Sequence, residues 1–210
     1  ATPHRRMPMT LTQQSAPYAH WEFVHPSSAD RLCIIPERGG LVSGWCCGGR
    51  EILYFDQDRY VDPSKSIRGG IPVLFPICGN LPGDVLPVDG VDHPLKQHGF
   101  ARDLPWQLQL LEDQSGVCLS LSSSDEALKA YPFPFRLEME LRPVASALEI
   151  STTVHNCGDA AMPFSFGLHP YFNVSDLAKT RLTGLAERCL NHLEMACLLY
   201  TSPSPRDSSP

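Results

Sequence analysis

Between Phe135 and Val144 the sequence reads FRLEMELRPV, and apolar and charged residues alternate without a break. Phe135, Leu137, Met139 and Leu141 fall on one face, and Arg136, Glu138, Glu140 and Arg142 fall on the other. A period of two is the spacing of an extended strand with one buried face, whereas apolar positions on a helix recur roughly every three or four residues. ALEISTTVHNCGD repeats the pattern immediately afterwards, and WQLQLLED and GVCLSLSSS show it earlier, with Asp113 to Gly116 as their turn. The charged face of the first run reads as a solvated, cross-paired surface.

The rest of the chain has the same grammar. WEFVHP, RLCIIPERGGLVSGWCC and REILYFDQD are short runs rich in β-branched and aromatic residues, punctuated by Gly39-Gly40 and Gly48-Gly49. In VLPVDGVDHPL, the pair Asp89-Gly90 is a two-residue hairpin signal. Only SSDEALKAYPF suits a helical turn, which Pro132 would stop. RGGIPVLFPICGN is apolar but carries Pro72 and Pro76, and proline cannot donate a ladder hydrogen bond. An irregular buried segment, held beneath a ligand pocket, is the reading that accounts for it. Together these features predict an all-β protein of many antiparallel strands, in one sandwich-like domain. No Gly-rich phosphate loop and no dinucleotide fingerprint occurs.

Bulk properties narrow the function. With 210 residues and 42% hydrophobic content, the chain can fill one substantial core. A formal net charge of −6, with no Lys/Arg cluster, gives no reason to expect a nucleic-acid partner. No run of 18 apolar residues occurs, so no membrane partner is expected. The eight cysteines are scattered, lack the spacing of a zinc hairpin, and read mainly as small buried hydrophobes in a reducing compartment. No metal site is expected. The N-terminal residues show no signal-peptide pattern, so a cytoplasmic location is expected, with plastid import left open.

Three places carry candidate chemistry: Arg68 before Gly69-Gly70, the group Lys96, Gln97, His98 and Arg102, and His169 in FSFGLHPYF. Arginine offers a rigid fork of donors for phosphate or carboxylate, and histidine exchanges a proton near neutral pH. By spacing alone His98 also reads as a turn histidine, His169 as a strand-end cap, and the arginines as surface ion pairs.

RGGIPVLFPICGN, KQHGFARDLPW and FGLHPYF, in that order, closely resemble the aldose 1-epimerase (mutarotase) superfamily, and within it the glucose-6-phosphate 1-epimerase branch. The resemblance runs from about Glu22 to about Ala196. It implies a galactose-mutarotase-like antiparallel supersandwich with an open cleft that binds a sugar or sugar phosphate. It also implies interconversion of the α and β anomers of a hexose 6-phosphate, with no cofactor and a monomeric protein. His169 would be the general acid at the ring oxygen, and His98 would bind and polarise oxygens at the anomeric centre. Arg68 and Arg102 would clamp the phosphate, and Gln97 would hold a hydroxyl. Lys96 would only add positive potential. The alternatives are a noncatalytic carbohydrate-binding protein and an epimerase of unphosphorylated aldoses.

The superfamily draws its general base from a glutamate near the end of the full domain. No such position is matched here, since Glu187 and Glu194 follow His169 too closely. CLLYTSPSPRD, from Cys197, resembles the translation of a transposase adapter used for sequencing libraries. The expected organisation is therefore a flexible segment over residues 1–17, a C-terminally truncated mutarotase-like sandwich over 18–196, and a non-native tail over 197–210. The expected consequence is that the chain as written lacks its base and is inactive or nearly so.

Overall fold

The computed structural model describes residues 10–191 and 196–199, which fall into two units, Ala1–Phe172 and Asn173–Pro210. This division lies inside the region expected from sequence to be one domain.

The first unit opens with a meander of five strands, each hydrogen-bonded to the next: β1 (Leu11–Gln14), β2 (His20–Val24), β3 (Arg31–Ile35), β4 (Leu41–Cys47) and β5 (Arg50–Glu51). The stretch expected to be flexible thus contains a strand, since Leu11–Gln14 pairs antiparallel with residues 20–23. Its sequence, LTQQ, has little intrinsic β signal, and pairing with a neighbour supplies the order. REILYFDQD is also less regular than its composition suggests. After β5, Leu53 and Phe55 make isolated bridges. A one-turn helix α1 (Gln57–Tyr60) follows, its first turn capped by the Asp56 carboxylate, which accepts from the Arg59 N–H.

Next come the short strand β6 (Val73–Leu74) and the hairpin β7 (Val85–Val88) to β8 (Val91–Pro94). Asp89 and Gly90 form its turn as expected, both at positive φ (49° and 79°), the backbone geometry that matches strand twist in a two-residue hairpin. The second sheet follows: β9 (Gln107–Leu110), β10 (Val117–Ser122), β11 (Phe135–Val144) and β12 (Ala147–Asn156), in the order β12-β11-β10-β9. Helix α2 (Asp125–Ala130) interrupts it, capped by the Ser124 hydroxyl, which accepts from the Ala127 N–H, and ending before Pro132. The last strand of the unit is β13 (Gly167–Leu168), paired with β6.

The alternation in the sequence is the alternation in space. Leu137 and Leu141 are fully buried, and Phe135 and Met139 are nearly so. They share one hydrophobic cluster with Val117 and Leu119 of the same sheet and with Phe23, Leu32, Ile34 and Val42 of the other. The two sheets therefore close on a common core, the layered arrangement of a β-sandwich. Each such side chain contributes about 1.5–3 kcal/mol by leaving water. On the outer face Glu138 accepts from Arg136 of the same strand and contacts His155 of β12, each at 2.7 Å, so one of these two pairs crosses between strands as expected and the other runs along β11. The cysteines depart from expectation: among the described residues Cys33, Cys46, Cys47, Cys78 and Cys118 are partly exposed, and Cys157 and Cys189 are exposed. No helix among the described residues is long and apolar enough to cross a membrane.

The second unit has a turn over Leu177–Lys179, held by the Asp176 carboxylate accepting from the Ala178 N–H. Its hairpin pairs β14 (Arg188–Asn191) with β15 (Ala196–Leu199). Cys197, Leu198 and Leu199 thus lie in a paired strand, whereas the remainder of the expected tail, and Glu194, are outside the described residues.

Candidate active site

The three polar motifs are assembled on one segment, Gly70 to Gly79. Gly70 (φ 67°) approaches β4 so closely that a Cβ would lie 2.4 Å from the Val42 carbonyl oxygen, and the next residue, Ile71, donates its N–H to that same oxygen at 2.9 Å. Only glycine allows this contact. On one side, β13 pairs with β6, after which the His169 N–H donates to Pro72 O (3.0 Å) and the Tyr171 N–H to Gly70 O (2.9 Å). On the other side, Phe75 bridges Gly99, and its carbonyl accepts from the N–H groups of Phe100 (3.0 Å) and Ala101 (3.1 Å). Gly99 (φ 69°) is forced by the same kind of approach, since a Cβ there would stand 2.3 Å from Phe75 O.

His98 is fixed twice over. Its N–H donates to Gly79 O at 2.8 Å, and the Gly79 N–H donates to its Nδ1 at 2.9 Å. Because Nδ1 accepts, the neutral ring carries its proton on Nε2. This histidine therefore makes the backbone contacts of a turn residue, and those contacts orient it. His169 packs its ring 5.0 Å from that of Tyr171. The Arg102 guanidinium donates to Gln97 O at 3.1 Å, which ties the two together. Trp106 anchors the end of this stretch, donating its indole N–H to Ala101 O at 2.9 Å.

Arg68, Gln97, His98, Arg102 and His169 all line one cavity of about 640 Å³, a size suited to a small molecule. Lys96 does not line it. Its ammonium is paired with Asp103 at 2.7 Å, as befits a residue assigned only a background role. Among the wall residues that the sequence reading did not single out are Arg38, Lys65, Asp103 and Tyr171. Tyr171 sits inside a motif already singled out, and that adjacency was the available signal. Arg38 and Lys65 belong to no motif and are brought in by the turns that carry them. Arg38 also lies over the Tyr60 ring, 5.6 Å from its centroid. Burial raises the Tyr60 phenol pKa, and the Arg38 cation opposes that shift.

The wall has a clear electrostatic sign. Arg38, Lys65, Arg68 and Arg102 line the cavity together with Asp103; Asp103 is paired with Lys96 at 2.7 Å and Lys65 with Asp62 at 3.2 Å, which leaves three arginines to set the sign. Such a cavity favours an anionic ligand, and its two imidazoles can donate and accept protons.

The sequence profile of the aldose 1-epimerase family matches residues 26–199. That span takes in both units and includes Cys197 to Leu199, so it gives no support to a non-native boundary at Cys197. A putative glucose-6-phosphate 1-epimerase of Escherichia coli K12 is 34% identical over 159 residues, covering 74% of this chain and 49% of the relative. The chain thus spans about half the length of that curated relative. Among solved structures, the Slr1438 protein of Synechocystis sp. PCC 6803 superposes with a TM-score of 0.77 at 39% identity, over 94% of this chain and 68% of the other. A galactose mutarotase-like protein of Lactobacillus casei gives 0.62 at 27% identity, over 73% of this chain and 50% of the other. The antiparallel sheets are those of the galactose-mutarotase fold, and the chain belongs to the aldose 1-epimerase family.

Proposed function

We propose that the cavity binds a hexose 6-phosphate and serves the interconversion of its α and β anomers. The observation that carries this reading is the composition of the wall: Arg38, Arg68 and Arg102 beside two imidazoles, with Asp103 engaged by Lys96 and Lys65 by Asp62. Cations in this number suit a phosphate better than a neutral sugar.

Ring opening needs a proton at the ring oxygen while another leaves the C1 hydroxyl, and reclosure reverses the roles. His169 is the acid at the ring oxygen. His98, with its proton on Nε2, donates to an oxygen at the anomeric centre. Arg68 and Arg102 hold the phosphate, and Gln97 a hydroxyl. None of these steps calls for a metal or organic cofactor. The base is a glutamate, and among the described residues none lines the cavity, where the one carboxylate, Asp103, is held by Lys96.

The test combines titration with glucose 6-phosphate and exchange NMR of its anomers, using this chain beside the full-length Escherichia coli relative. Saturable binding of glucose 6-phosphate is expected, and no binding by this chain beside binding by the relative would overturn the reading. Arg102→Ala should weaken glucose 6-phosphate binding about 10–100-fold, as loss of a charged hydrogen bond does, and leave glucose nearly unaffected. Equal losses for both sugars would favour an unphosphorylated substrate.

A further inference from the structure

The outer face of the first sheet carries a group of side chains that sugar binding does not use. His20 and Glu22 stand two positions apart on β2 and so project to the same side, opposite the core residue Phe23. Glu22 is paired with Cys33 on β3, which puts the thiol in the same cross-strand row. Imidazole, carboxylate and thiol each present a donor atom, and all three atoms lie within 4.8 Å of one another.

Two features favour a ligand there. His20 is 6% exposed, and its Nδ1 lies 2.8 Å from Tyr18 O. A carbonyl can only accept, so Nδ1 carries the proton and Nε2 presents a lone pair. This is the outer contact that metal-bound histidines usually make. Beside Cys33 on β4 stands Gly44, where a Cβ would come 3.3 Å from the sulfur, so the absent side chain leaves room at the thiol. The nearby cation is already shared: Arg31 lies 3.6 Å from Glu22 and 3.8 Å from Glu51, and can rest on Glu51 when Glu22 turns to a ligand.

We propose that His20 Nε2, the Glu22 carboxylate and Cys33 Sγ form a binding site for a thiophilic divalent cation of the Zn²⁺ type, with water as a further ligand. Mixed nitrogen, oxygen and sulfur donors suit such a cation, whereas Mg²⁺ and Ca²⁺ call for oxygen alone. Tetrahedral ligation would draw the donors to about 3.5 Å apart, a side-chain adjustment of roughly 1 Å. As the metal–sulfur bond forms, the thiol proton passes to solvent, and no electron is transferred. The bound ion would join β2 to β3 through their side chains. No local pattern announces this group, because its members come from two strands and match no short spacing motif.

The test is titration of the full chain with Co²⁺ as a spectroscopic probe, followed by competition with Zn²⁺. One Co²⁺ per chain is expected, with a sulfur-to-metal charge-transfer band that disappears in Cys33→Ser. His20→Gln and Glu22→Gln should each weaken binding by at least the roughly 10–100-fold that even an outer-contact loss costs. Zn²⁺ should raise the thermal midpoint of the unaltered chain and not that of Cys33→Ser. Because Cys33→Ser could misfold, Glu22→Gln, at a partly exposed position, is the variant that must retain the fold and still lose affinity. A band that survives Cys33→Ser and vanishes in Cys46→Ser/Cys47→Ser would overturn the assignment. So would the absence of stoichiometric binding.

Discussion

The second sheet and the cavity wall are held in place by different means. Between β11 and β12 the ladder runs without interruption from the pair Phe135–Asn156 to the pair Val144–Ala147. The wall has a two-residue ladder between β6 and β13, and single bridges at Phe55–Gly69 and Phe75–Gly99. The sheet distributes its stability over many equivalent pairs and buried side chains. The wall depends on a few backbone hydrogen bonds, made possible by glycines that let strands touch. Damage to the sheet should therefore appear as lost stability, and damage to the wall as lost binding.

The largest effect on stability is expected from Leu137→Ala, because Leu137 is fully buried on an interior strand of the sheet. Denaturant unfolding should show a loss of about 2–5 kcal/mol, while the folded fraction keeps its affinity for glucose 6-phosphate. A comparable loss of affinity would show that the two regions are not separable. Gly99→Ala attacks the wall instead. A Cβ 2.3 Å from Phe75 O, at φ 69°, should cost about 1–3 kcal/mol, and it should lower sugar-phosphate affinity disproportionately by displacing His98. Unchanged affinity would mean that the wall adapts as the sheet does.

The smallest effect belongs to the outer face. Hydrogen bonding from His155, with Arg136 adding its charge, holds the Glu138 carboxyl below its ordinary pKa. A depressed folded value means that this carboxylate adds stability above the unfolded pKa and loses it as pH falls through the folded one. Glu138→Gln should therefore flatten the acid side of the stability profile below about pH 4 and change little at neutral pH, since the pair faces solvent. A large loss at pH 7 would contradict the solvated reading.

What could be read in advance follows the same division. FRLEMELRPV announced its strand because burial on one face leaves a period of two, and Asp89-Gly90 announced its turn because few residues accept two positive φ values. The site residues could be named through their motifs, but their meeting in one cavity depends on backbone contacts to Gly70, Pro72 and Phe75 that no local pattern encodes. Arg38 and Lys65 stayed hidden because a lone surface cation looks the same whether or not it faces a cavity. Leu11–Gln14 escaped notice because its order comes from its partner strand.

The attachment points of the two histidines carry a geometric consequence. His169 is fastened at Pro72 and His98 at Gly79, so their separation is measured out by one short run of chain. Pro72 to Gly79 acts as a gauge block. Insertions in the outer loops can reshape the rim of the cavity without altering the interval between the imidazoles, but a single residue added to or removed from the gauge would shift one against the other.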